Sequence, residues 1–196
     1  VHMMKVIKGA LKEHDIHIEN WDEPCIRNFN GKKVQGRHTK GYGTSVFNYA
    51  GKTYEPEPWT TSMKIIKMDT ELLVHKETKK AVRFNFCLCG LYETGETSIP
   101  HHSDTIPTRE DLVVGISFGA PRILEWREYN QEIKKKTDSS KIHLHGFHLR
   151  YETKRYLLEH GDVYIFDGHS QMNSTHSIPS IENVGERINL TFRTGL

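Results

Sequence analysis

Cysteine is scarce: only Cys25, Cys87 and Cys89 occur in 196 residues. Their number and spacing exclude a disulfide-stapled scaffold and a zinc signature built on cysteine pairs, so a reducing, intracellular setting (cytoplasm or nucleus) is expected. No apolar run approaches bilayer-spanning length and the start carries no signal-peptide pattern, so neither a membrane partner nor secretion is expected. Charge of one sign is lacking too. Lysine and arginine number 27 against 25 acidic residues, a net charge of +2, which gives the whole chain no electrostatic signature of a nucleic-acid binder. Two local basic stretches stand out: Lys32, Lys33, Arg37, His38 and Lys40, then Lys134, Lys135, Lys136 and Lys141. Each reads either as a phosphate contact or as solvated loop lysines. Internal repeats are absent.

The length suits a single domain with a substantial core. Val1-His2-Met3 reads as a cloning scar ahead of a domain over residues 4–196, although a domain cut from a polyprotein would look the same. Residues 4–30 mix short apolar clusters with turn residues and are the least readable part, closing on an Asn30-Gly31 turn. Glycines and aromatics alternate from Val34 to Tyr54, which suggests twisted strands or a hairpin. A helix is expected over Thr60–His75: Ile65, Met68, Leu72 and Leu73 recur at helical spacing, and Thr60 to Ser62 offer capping hydroxyls. From Ala81 the pattern is β-dominated. Strands are expected around Phe84–Leu88, Val113–Phe118, Arg122–Trp126, Phe147–Leu158, Asp162–Phe166 and Ile188–Arg193, with a lysine-rich loop over residues 129–145. So many short strands point to an α+β, mainly β domain of the jelly-roll kind, with the helix bracing the outside of a sheet.

Two distant segments carry the chemistry. In His102-Ser103-Asp104 an imidazole and a carboxylate stand at i and i+2, which in extended chain puts both on one side of the backbone. His176 can then arrive from another strand as a third ligand. Two imidazoles and one carboxylate can cap one face of Fe(II) and leave the opposite positions open. Alone, the His-x-Asp pair would read as a solvated loop. The C-terminal segment adds weight, because Arg187, Asn189, Thr191 and Arg193 alternate with Ile188, Leu190 and Phe192 and so share one strand face. If that face looks into a barrel, its guanidinium groups need anionic partners. A dicarboxylate and Asp104 would both serve.

These blocks, taken in order, resemble the AlkB family of Fe(II)- and 2-oxoglutarate-dependent dioxygenases. The C-terminal signature Asn189-Leu190-Thr191-Phe192-Arg193 with Arg187 ahead of it is similar to the family's, as are Val114 to Arg122, Phe84 to Tyr92, Gly36 to Gly43 and Pro56 to Trp59. The resemblance spans Gly36 to Arg193. It implies a double-stranded β-helix core over about residues 81–196, preceded by a substrate-covering region over about 31–60. It implies Fe(II) held by His102, Asp104 and His176, with 2-oxoglutarate held by Arg187, Tyr92 and Asn189, and with Arg193 orienting the metal carboxylate. The implied reaction is oxidative demethylation of N-alkylated bases in DNA or RNA, in which hydroxylation of an N-methyl group releases formaldehyde. A base inside a duplex cannot reach such a site, so the substrate would be single-stranded or flipped out. Tyr49 and the ring of His102 would sandwich it, supported by Phe47 and Tyr42, with Arg37 also on the substrate side. The protein is expected to act as a monomer.

The sequence departs from the family pattern in two places. Gly90 stands where repair members often carry an asparagine that contacts 2-oxoglutarate, which implies weaker co-substrate binding. Thr105, Ile106 and Pro107 follow Asp104 where repair members tend to place an acid that senses a cationic methylated base; Glu110 or Asp111 would have to substitute. Two other readings compete with demethylation: a 2-oxoglutarate-dependent enzyme acting on a protein side chain or small molecule, and a jelly-roll binding module with a vestigial pocket.

Overall fold

Phe86–Tyr92 (β7) and Arg187–Arg193 (β14) are buried along their whole length, so both faces of this strand pair must be covered by other elements. One cover is a helix and the other is a second sheet. The computed structural model describes residues 4–24, 26–49, 51–104, 108, 110–129 and 151–194. The larger sheet runs Lys5–Ile7 (β1), Val163–Asp167 (β12), Leu112–Gly119 (β9), β14, β7 and His38–Gly43 (β4), every neighbouring pair antiparallel. The smaller sheet has the order Tyr151–Leu158 (β11), Arg122–Tyr129 (β10), Ser174–Ile178 (β13) and Ile99–His102 (β8), also antiparallel. Two hairpins sit outside these sheets: Ile26–Phe29 (β2) with Lys32–Gln35 (β3), and Phe47–Tyr49 (β5) with Lys52–Tyr54 (β6). The first turns at Asn30-Gly31, both with positive φ, as the twist of a two-residue hairpin requires.

Strand parity divides the core into two layers. The outward side chains Cys87, Cys89, Leu91, Ile188, Leu190 and Phe192 pack with Met63, Ile66 and Val74 of the helix Thr61–Thr78 (α1). The inward side chain Tyr92 joins Ile99, Leu124, Trp126, Tyr164, Phe166 and Ile178 between the sheets. Facing antiparallel sheets with this interior make the expected jelly roll. Cys87 and Cys89 remain reduced on the helix side, sulfurs 3.9 Å apart, and burial pushes the Cys87 thiol up.

The helix forms where its capping hydroxyl indicates, with Thr60 accepting from the Met63 backbone N–H and Lys79 closing the end in the left-handed region. Its buried face differs from the expected one. Of the four residues that set the expected period, Ile65, Met68 and Leu72 are exposed and Leu73 packs partly buried against the core, whereas Met63, Ile66, Thr70 and Val74 are buried. Both sets repeat at helical spacing, and Thr70 can be buried because its hydroxyl donates to the Ile66 carbonyl. β9, β12 and β14 appear within one residue of the expected bounds, β7 and β10 run on beyond the expected ends to Tyr92 and Tyr129, and β8 and β13 were not among the expected strands; β11 begins at Tyr151, and residues 130–150 lie outside the described residues and leave the expected loop and the start at Phe147 undecided. His38–Gly43, within the stretch read as substrate-covering, is an edge strand of the larger sheet. Among the described residues no helix is long and apolar enough to cross a membrane.

Candidate metal centre and anion pocket

His102 ends β8 and His176 lies opposite it on β13, so antiparallel pairing brings the two imidazoles to a centroid separation of 4.3 Å. Asp104 follows two residues later. Its carboxylate stands 3.4 Å from His102 Nε2 and 3.6 Å from His176 Nε2, and one ligand atom from each of the three residues lies within 4.8 Å of the others. The protonation pattern suits metal binding. His102 Nδ1 lies 2.8 Å from the Pro100 carbonyl, which can only accept, so Nδ1 carries a proton and Nε2 is the ring nitrogen turned toward the Asp104 carboxylate. Burial pushes the His176 imidazole down to about 3, so it is neutral at ordinary pH. Burial raises the Asp104 carboxyl, yet the Arg193 guanidinium and both imidazoles hold it well below the usual carboxylate range. Asp104 Oδ1 is buried with no hydrogen-bond partner among the described residues, an orphaned anionic oxygen that a cation would satisfy. The donor set and this oxygen fit Fe(II).

Neighbouring residues fix the ligands. Gln171, on the short helix Gly168–Met172 (α2), holds Asp104 twice: its Oε1 accepts the Asp104 backbone N–H at 3.1 Å and its Nε2 donates to the carboxylate at 3.3 Å. Trp126 stacks on the His176 ring at 5.6 Å and 13°. Arg193 approaches Asp104 from the larger sheet at 3.5 Å. Gln171→Ala should therefore weaken metal binding by about 10–100-fold, the cost usual for partners that orient ligands. Mn(II) titration checks this, and Gln171→Glu, which puts a second anion on Asp104, should not rescue it.

Arg187, Asn189, Thr191 and Arg193 all face inward, as their alternation requires. Arg187 is fully buried. Its Nε donates to Ser117 Oγ at 2.6 Å and its Nη2 to Asn189 Oδ1 at 3.4 Å, while Nη1 has no hydrogen-bond partner among the described residues. A dry guanidinium with an idle donor fits one carboxylate of a dicarboxylate ligand. Tyr164 donates to Asn189 Oδ1 at 3.2 Å, and burial pushes its phenol up, so it keeps the proton that it donates. Gly115 makes room for that ring: a Cβ there would lie 1.9 Å from Tyr164 Cζ. Tyr92 pairs with Arg187 across the strands, its ring 5.0 Å from the Arg187 guanidinium carbon.

Four strands, β7 and β14 of the larger sheet and β8 and β13 of the smaller, together with the segments that hold Arg37 and Asp104, therefore bring His102, Asp104, His176, Tyr92, Asn189, Arg193 and Arg37 around one cavity, with Arg187 just behind it. Ser117, Tyr164, Gln171, Trp126 and the buried Arg122 were not singled out by sequence. Arg122 donates to the carbonyls of Thr94, Thr97 and Pro179 and so ties loops together beside the cavity. Tyr42 is a correction. It packs on the helix-covered face of the larger sheet with Cys87, because even positions of β4 point away from the cavity. Phe47 is buried, stacked on Phe86 at 4.6 Å with the Arg193 guanidinium carbon 5.2 Å from its ring. The Tyr49 side chain lies outside the described residues. Among the basic residues, Lys40 is buried against Glu57 and the carbonyls of Glu19 and Asn20, and His38 pairs with Glu93, so neither is a phosphate contact in this conformation. Lys134 to Lys141 and residues 105–107 lie outside the described residues. Of the two acids offered as substitutes behind Asp104, Glu110 pairs with His169 and Asp111 caps the Thr108 backbone N–H.

Residues 18–193 match the 2OG-Fe(II) oxygenase superfamily. The chain is 32% identical over 164 residues to the alpha-ketoglutarate-dependent dioxygenase alkB homolog 3 of Bos taurus and, equally, of Homo sapiens, covering 82% of this chain and 52% of each relative. It is 28% identical over 195 residues to the DNA oxidative demethylase ALKBH2 of Arabidopsis thaliana, covering 91% of this chain and 59% of that one. It thus spans a little over half the length of these curated relatives. The solved structure of OsALKBH1 superposes with a TM-score of 0.63 at 17% identity over 97% of both chains, a likeness of fold. The chain belongs to the AlkB family within the 2OG-Fe(II) oxygenase superfamily, with Fe(II) and 2-oxoglutarate as its metal and co-substrate.

Proposed function

We propose that this chain oxidatively demethylates N-alkylated bases in DNA or RNA, releasing formaldehyde, as an intracellular monomer. The observation that carries the reading is the placement of His102, Asp104 and His176 on the wall of a cavity that Tyr92, Asn189 and Arg193 line from the opposite sheet, with Arg187 behind Asn189. The name of the Arabidopsis relative, a DNA oxidative demethylase, supports the substrate class.

The bound metal and 2-oxoglutarate would supply the oxidising power toward a C–H bond. The protein's own share is binding and positioning. Arg187 gives a co-substrate carboxylate two-pronged recognition, with Ser117 and Asn189 holding the guanidinium in plane. Tyr164 holds the Asn189 amide, and Gln171 and Arg193 keep Asp104 aimed at His102 and His176. The apolar wall of Ile99, Leu124 and Ile178 keeps water away from the reacting centre. A flipped or single-stranded base would enter beside His102, whose ring edge is partly open, with Tyr49 as the opposing platform and Phe47 as its support. Such stacking is worth about 1–3 kcal/mol per base.

Incubating the chain with methylated single-stranded DNA and RNA oligomers, Fe(II), 2-oxoglutarate and ascorbate should release formaldehyde, and the Asp104→Ala chain should release none. Turnover of 2-oxoglutarate stimulated by peptides but by no oligomer would overturn the substrate class in favour of a protein-directed enzyme.

A further inference from the structure

We infer that His101 is a positioning residue for the metal centre: from the outer face of the smaller sheet it locks the strand that carries His102 to the strand that carries His176. This role rests on the reading of His102, Asp104 and His176 as the metal ligands.

Strand parity sets up the arrangement. His102, His176 and Trp126 point to the cavity side of the smaller sheet, so their neighbours His101, Thr175, Ser177 and Glu125 point to its outer face. There the His101 ring meets all three of the others. Its Nε2 donates to Glu125 Oε1 at 2.8 Å, since a carboxylate can only accept, and Ser177 Oγ lies 3.2 Å from the same nitrogen. Its Nδ1 lies 3.1 Å from Thr175 Oγ1. Thr175 and Ser177 flank His176 in sequence, and Glu125 precedes Trp126, the ring stacked on His176. One imidazole outside the sheet therefore holds the immediate neighbours of the metal centre inside it.

The backbone leaves such a brace work to do. β8 has four residues and lies at the edge of its sheet, paired with β13. Its register with β13 shifts between His176 and Ile178, so the ladder does not carry straight through to His102. A short edge strand with an interrupted ladder is free to open locally, whereas ligands have to be held within about 0.5 Å of their productive geometry. Ser103 Oγ donates to the Ser174 carbonyl at 2.7 Å and ties down the chain beyond His102. His101 ties down the chain ahead of it and reaches across β13 to Glu125 on β10. Glu125 is a fixed anchor: it is buried, with Arg127 Nη2 3.0 Å from Oε1 and Arg155 Nε 3.0 Å from Oε2. A hydrogen bond to a charged, buried acceptor is a strong one.

Metal titrations of the whole chain, followed by calorimetry without turnover, test this role. His101→Ala should weaken Mn(II) binding about tenfold or more, the loss expected when a partner that orients ligands is removed. His101→Gln keeps a donor for Glu125 and loses the nitrogen facing Thr175, so it should fall between the parent and the alanine variant. His101→Ala combined with Glu125→Ala should bind no more weakly than the weaker single variant, because both changes cut the same link. The absorption spectrum of Co(II) at saturation separates positioning from general loosening. It should change in His101→Ala, where the two imidazoles meet the ion at altered angles, and return toward the parent in His101→Gln. Melting curves of the apo chains report loss of fold; should His101→Ala fail to fold, His101→Gln carries the test, with lower affinity and a shifted spectrum expected. Asp104→Ala is the reference: if it still binds one Mn(II) saturably, the ligand assignment itself fails. If Asp104→Ala loses binding while the His101 variants keep Mn(II) affinity within about twofold of the parent, or bind more weakly with an unchanged Co(II) spectrum, His101 only supports the fold and the inference is overturned.

Discussion

Asp104→Ala should lose metal-dependent turnover by at least about a thousandfold, because several kcal/mol of metal-supported stabilisation disappear with the ligand. The side chain has three jobs. It faces His102 and His176 as the anionic member of the ligand set, it is the carboxylate toward which Arg193 points at 3.5 Å, and it anchors Gln171. Truncation therefore removes the metal charge partner and also leaves a buried cation facing an alanine, which costs about 3–5 kcal/mol when a buried pair is broken from one side. Two readouts follow. Mn(II) binding should vanish, and the apo protein should melt lower than the parent. Asp104→Asn keeps the shape and the Gln171 contacts in part, so it should recover much of the stability but none of the turnover. Equal activity of the parent and either variant would contradict the ligand assignment.

Arg187→Met should separate function from stability in the opposite direction. The guanidinium is fully buried, one of its nitrogens has no hydrogen-bond partner among the described residues, and its charge has no carboxylate at hydrogen-bond distance there. Holding such a charge dry opposes folding until an anion arrives. Methionine of similar volume removes that cost, so the apo protein should be as stable as the parent or more stable by on the order of 1 kcal/mol. The same change should abolish the stabilisation that 2-oxoglutarate confers on the Mn(II)-loaded parent, and weaken its binding by about 2–5 kcal/mol, roughly thirtyfold to several thousandfold. A variant that loses both apo stability and ligand binding would instead make Arg187 a structural residue.

Much of the site was readable from the sequence because strand alternation is a strict period. The order Arg187, Asn189, Thr191, Arg193 put those side chains on one face wherever β14 lay, and His102 with Asp104 shared a side for the same reason. What pairing across strands decides was not readable. Ser117 reaches Arg187, Tyr164 reaches Asn189 and Trp126 covers His176 only through the registers of β9, β12 and β10. Gln171 depends on a one-turn helix too short for a periodicity signal. Tyr42 was misplaced because an aromatic near a glycine-rich strand carries no mark of which face it takes. The helix face was misassigned because two apolar sets shared one period, and only packing on Cys87, Cys89 and Leu190 chose between them. The Gly90 departure was visible as a missing amide, while the side chain that fills its space, Arg37, comes from the segment between β3 and β4.

Titrating Mn(II) into the parent chain and into the triple variant His102→Ala, Asp104→Ala, His176→Ala, by calorimetry or by loss of the free-ion resonance signal, addresses the metal centre most directly. The expected result is one ion bound per parent chain, with 2-oxoglutarate tightening it, and no saturable binding to the variant. Equal stoichiometry in both chains would place the ion elsewhere and contradict the site described for this fold.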